Sequence, residues 1–72
     1  MRGVVKWFDF AKGYGFLVPD AGGPDVFVHI TAAERAGLTA FKEGQPIEYE
    51  IITARGRPAA EDLKAVGNER QW

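Results

Sequence analysis

Turn-forming residues break this chain about every ten positions, so no helix or strand in it can be long. Gly13, the Pro19 to Pro24 cluster, Gly37, Gly44 to Pro46 and Gly56 to Pro58 separate short runs rich in Val, Ile, Phe and Tyr. That alternation of apolar run and break is the pattern of an antiparallel all-β domain, with strands expected near 3–9, 14–18, 25–30, 46–54 and 59–66. Thr31 followed by Glu34 has the form of a capping box, and Gly37 suits a left-handed stop. One short helical turn is therefore expected after the third strand. A chain of 72 residues has room for one domain, which hides only roughly 60% of its unfolded surface. Short strands in so small a domain leave unpaired edges unless the sheet closes on itself. The expected architecture is a five-stranded antiparallel barrel over residues 1–67, with 68–72 as a short polar tail ending in an unpacked Trp72.

Composition removes several classes of function. The chain has no cysteine and one histidine, His29, which excludes a disulfide framework, a thiolate cage and any site built on two imidazoles. No metal and no cofactor are expected. Runs of strongly apolar residues do not exceed three, too short for a membrane span or for the apolar middle of a secretory signal. The expected address is the cytoplasm. Formal net charge is -1, from nine Lys and Arg against ten Asp and Glu. The sum conceals an uneven distribution: Arg2, Lys6 and Lys12 face only Asp9 in the first twelve residues, whereas Glu34, Glu43, Glu48 and Glu50 outnumber Arg35 and Lys42 later on.

Side chains alternate between faces along a strand. In Val26-Phe27-Val28-His29 the two valines share one face, and Phe27 and His29 share the other. A small barrel has one interior, which branched valines fill better than a pair containing an imidazole, so Phe27 and His29 are expected outside. The preceding strand repeats the arrangement, with Leu17 inward and Tyr14 and Phe16 outward. Leaving such rings in water forgoes about 1.5 to 3 kcal/mol per large side chain. An exposed aromatic patch in a small domain therefore asks for a ligand, and unpaired nucleobases fit, at roughly 1 to 3 kcal/mol per stacked base. Gly13 and Gly15 flank Tyr14 without bulk, which leaves room for close approach. Trp7 and Phe8 end the first strand beside the patch. Alternation cannot turn both outward, and Trp7 is read as exposed. Lys6, Lys12, Arg55 and Arg57 then border the rings. Four phosphate contacts would give a salt slope near about -3. For Phe27 alone, and for His29, ordinary packing remains an alternative. Lys42, Arg35, Lys64 and Arg70 read as solvated charges.

Lys12-Gly13-Tyr14-Gly15-Phe16 resembles the first ribonucleoprotein motif of the cold-shock domain, and Val26-Phe27-Val28-His29 resembles the second. Residues 3–9, Glu43-Gly44-Gln45 and Gly56 to Ala60 are similar to that family at matching places. The resemblance implies a five-stranded OB-fold barrel that binds single-stranded RNA and DNA, acts as an RNA chaperone and regulates gene expression under cold stress. It implies a binding face of Lys6, Trp7, Phe8, Lys12, Tyr14, Phe16, Phe27 and His29, with Asp25 and Arg55 at its rim. Ile30 and Leu38 stand where the family has phenylalanines, Asp9 replaces a common asparagine, and Phe10 occupies a loop the family fills with polar residues. Weaker binding than that of a full aromatic set is expected. Phe10 either restores one contact or covers the barrel rim. The partners expected are single-stranded nucleic acids, met by a monomer. The competing reading is a protein-interaction or self-associating module that uses the same patch. No phosphate loop, metal cluster or nucleophile pair favours an enzyme.

Overall fold

The computed structural model describes residues 1–66; residues 67–72, including the polar tail and Trp72, lie outside the described residues. Its elements run β1 (Arg2–Asp9), β2 (Tyr14–Pro19), β3 (Val26–His29), α1 (Ile30–Ala36), β4 (Pro46–Ala54) and β5 (Arg57–Ala65). All five expected strands are present, with ends displaced by two residues at most. The sheet closes into a barrel in the order β1-β2-β3-β5-β4. Every seam is antiparallel except β3 against β5, which is parallel and consists of one pairing, Phe27 with Ala59. Parallel neighbours require a long connection, and here α1 and β4 supply it. Among the described residues no helix is long and apolar enough to cross a membrane.

The barrel interior holds Val5, Leu17, Val26, Val28, Ile47, Tyr49, Ala60 and Leu63, and α1 closes it by adding Ala32. Period-two alternation supplies most of these residues, and β3 shows it without interruption. The helix begins differently from the capping-box expectation. His29, not Thr31, is the N-cap: its Nδ1 accepts from the Thr31 backbone N–H at 3.2 Å. Thr31 lies inside the helix, its Oγ1 3.1 Å from the same nitrogen. Gly37 stops the helix as expected, in the left-handed region at φ 75°. β4 and β5 are joined by Arg55 and Gly56 alone, with φ 54° and 78°. Two consecutive positive φ values are what a tight hairpin loop of the type I′ kind needs, and Arg55 adopts one of them without being glycine.

Tyr49 is fully buried, and its hydroxyl has no hydrogen-bond partner among the described residues. An unpaired buried hydroxyl is destabilising by about 1 to 3 kcal/mol. Burial, followed by the charge of Asp20, raises the phenol above its ordinary 10.0. The folded protein thus holds this proton more tightly than the unfolded chain does. The corresponding stability is complete below the unfolded value and is lost as pH rises through the folded one. Tyr49→Phe is expected to raise the free energy of urea unfolding at neutral pH by about 1 kcal/mol and to soften the loss of stability in alkali. A variant less stable than the parent at neutral pH would mean that the hydroxyl is satisfied after all.

Candidate nucleic-acid interface

The register of β1, β2 and β3 sets Trp7 opposite Phe16, Phe16 opposite Phe27, and Tyr14 opposite His29. Their rings form a continuous outer patch. Trp7 lies 5.6 Å from Tyr14 and 5.5 Å from Phe16 between centroids, both edge-on. Tyr14 stacks on Phe27 at 5.8 Å, Phe16 meets Phe27 at 5.8 Å, and His29 follows Phe27 at 6.3 Å. Tyr14, Phe16 and Phe27 are half-buried against one another, while Trp7 and His29 are exposed. Because Nδ1 of His29 is taken up as the helix cap, the neutral ring carries its proton on Nε2. The imidazole is thereby held in one orientation beside Phe27.

Trp7 faces outward because β1 carries an irregularity. Val5 pairs with Leu17 but Trp7 pairs with Phe16, so Lys6 is an extra residue with no partner on β2. Such a bulge shifts the alternation by one. Val5 stays in the core, Trp7 turns out at 37% exposure, and Phe8 turns back in. Gly15 permits this close crossing. A Cβ there would collide with the Trp7 carbonyl oxygen and lie 2.6 Å from Phe8 Cα. The missing side chain therefore serves strand packing, not the approach of a ligand. Gly13, at φ 86°, supplies a conformation that the turn requires.

The basic rim is only partly free. Lys6 Nζ is bound to Asp25 Oδ2 at 2.9 Å, so two of the expected site residues neutralise each other. Arg2 pairs with Glu48 and Arg35 with Glu61. Lys12, Arg55 and Arg57 are exposed and are in no ion pair among the described residues. The two arginines line a groove that opens beside Phe27 and His29. Ile52, 44% exposed, lines the same groove. No sequence motif singles it out. The available signal was the Ile51-Ile52 pair, since alternation cannot bury both. Among the described residues no three His, Asp or Glu side chains converge as a metal site would require.

Several expected site residues stand apart from the patch. Phe8 does not join it: its ring packs on the core and meets Phe10 at 4.6 Å and Phe41 at 4.8 Å. The inward turn after the Lys6 bulge accounts for this. Leu38 also packs against the core. Ile30 opens α1, its Cγ2 close to Gly13 and its N–H bonded to the Gly13 carbonyl at 2.9 Å. Asp9 organises the β1–β2 loop, with Oδ1 accepting from the N–H groups of Ala11 at 2.9 Å and Lys12 at 3.1 Å.

A family model described as the 'Cold-shock' DNA-binding domain matches residues 1–66. A probable cold shock protein of Sinorhizobium fredii is 54% identical over 65 residues, which cover 88% of this chain and 94% of the relative. A cold shock-like protein of Thermotoga maritima is 53% identical over 66 residues, covering 92% and 98%. The cold shock-like protein CspC of Escherichia coli is 42% identical over 66 residues, covering 92% and 96%. The matched span takes in the whole described barrel and every ring on its outer patch, and on that ground the chain belongs to the cold-shock domain family.

Proposed function

We propose that this protein binds single-stranded RNA and DNA by stacking unpaired bases on Trp7, Tyr14, Phe16, Phe27 and His29, and so acts as an RNA chaperone. The observation that carries the reading is the contiguous outward ring patch, with neighbouring centroids 5.5 to 6.3 Å apart. Flat apolar faces at that spacing match bases splayed from an extended strand, and every base offers a π face. In a duplex the bases are stacked on one another and cannot reach the rings. The protein traps transiently open strands by mass action, without a cofactor or nucleotide hydrolysis. It works in this way as a monomeric binder, not an enzyme, in the cytoplasm, and contributes to gene expression under cold stress. A protein-interaction module would have no use for the unpaired cations that border the groove.

Titration with hexathymidine, in a variant whose Trp72 has been replaced, should quench Trp7 fluorescence. The matched duplex should leave it unchanged. With Lys6 committed to Asp25, the cations that remain are Lys12, Arg55 and Arg57, and the salt slope should be about -2, shallower than four contacts would give. Equal affinity for duplex and single strand, or no dependence on salt, would overturn the proposal.

Asp9→Asn keeps the loop acceptor and removes a negative charge beside Lys12. It should tighten hexathymidine binding severalfold at low salt, and by less as salt screens the charge. An unchanged affinity at low salt would place Asp9 outside the phosphate path. Ile30→Phe would add a ring at the start of α1, directly after His29, and should strengthen binding by up to about 1 to 3 kcal/mol. Leu38→Phe should gain less, because Leu38 is engaged with the core. If neither variant binds more tightly, these positions lie off the strand path.

A further inference from the structure

Phe8, Phe10 and Phe41 make a second ring cluster, on the side of β1 opposite the Trp7 turn. Phe10 and Phe41 lie almost parallel, 16° apart with centroids at 5.9 Å, and Phe8 meets both within 4.8 Å. Phe8 and Phe41 are half-buried on the core, while Phe10 is 38% exposed. The cluster is thus anchored below and open above. Phe10 stands on a fixed turn: Asp9 Oδ1 holds the Ala11 and Lys12 N–H groups, and the Gly13 N–H donates to the Asp9 carbonyl at 2.8 Å. A ring held in place loses little further freedom when a ligand covers it.

The cluster adjoins the patch along β1, with no ring-to-ring contact between the two among the described residues. Phe8 follows Trp7 and pairs with Gly15, and Asp9 pairs with Tyr14, so Phe10 comes one residue beyond the patch edge. Lys12 lies two residues from Phe10, and Lys42 is next to Phe41. Both lysines are exposed and in no ion pair among the described residues. Asp9 and Glu43 balance them in formal charge, so stacking, not net charge, would carry binding here.

We propose that the open face of Phe10, backed by Phe8 and Phe41, is an additional stacking subsite. It takes one unpaired nucleobase at the end of a strand bound across the Trp7 to His29 patch. The inference rests on the function proposed above. It differs from a purely structural role, in which Phe10 only covers the barrel rim.

The test is a length series of oligothymidines from four to eight nucleotides, titrated against the parent and against Phe10→Leu and Phe10→Ser. Thermal unfolding is followed alongside. Leucine keeps apolar packing but offers no flat ring, so it carries the test should the serine variant fail to fold. The expected loss grows with length, from least on the shortest strand to about 5- to 150-fold on strands long enough to reach Phe10, following the usual worth of one stacked base. The affinity of Phe10→Leu should level off one nucleotide earlier than that of the parent. Its salt slope should be unchanged, since no cation is removed. A length profile for Phe10→Leu that superimposes on the parent's would overturn the subsite while leaving the main patch standing. A parent that binds no strand of any length would overturn both.

Discussion

The interior of this barrel is too small for its own aromatics, and the rest of the molecule follows from that limit. Val26, Val28, Leu17, Val5 and Ile47 fill the space with branched aliphatic groups, leaving Tyr49 as the one large ring fully buried among the described residues. Alternation then sends Phe27, Phe16 and Tyr14 to the opposite face. Because the sheet is closed, that face has no second layer to cover it. The rings shield one another edge to face, which recovers part of the lost burial. What they cannot shield remains available to a flat apolar ligand.

Two local irregularities convert this general consequence into a specific surface. The bulge at Lys6 lets a single strand place Val5 in the core and Trp7 on the outside, and it gives the patch its most exposed large ring. Gly15 makes the bulge possible, since any side chain there would collide with the backbone of β1. His29 serves two structures at once. It continues the ring row beyond Phe27, and it caps α1 through Nδ1, so the helix that closes the barrel also orients the last member of the patch.

Electrostatics plays the smaller part. The chain is close to neutral, and several basic residues near the sheet are matched by acids: Lys6 by Asp25, Arg2 by Glu48, Arg35 by Glu61. Exposed pairs of this kind contribute about 0 to 1 kcal/mol to stability, but each one reduces the charge presented to a phosphate backbone. Of the cations expected to border the rings, those left without an ion pair among the described residues are Lys12 and, on the β4–β5 hairpin, Arg55 and Arg57. Under the function proposed above, a surface arranged in this way relies on stacking more than on charge.

Periodicity and turn chemistry by themselves determined the strand count, the strand positions, the valine interior and the outward turn of Phe27, because each follows from the geometry of a few consecutive residues. Gly37 as the helix stop was equally legible. Tertiary structure decided what depends on partners distant in the chain. The parallel seam between β3 and β5 arises only on closure. The parity change at Lys6, which separates Trp7 from Phe8, is set by pairing with β2. The cap passed from Thr31 to His29 because the incoming strand already held that imidazole at the helix start. Gly15 was legible as a place without bulk, but that β1, not a ligand, fills the space could be known only once the two strands were brought together. The same holds for Lys6 and Asp25, nineteen residues apart, whose mutual neutralisation no local pattern encodes: side chains on separate strands meet only when the register is fixed, and long-range pairing fixes it.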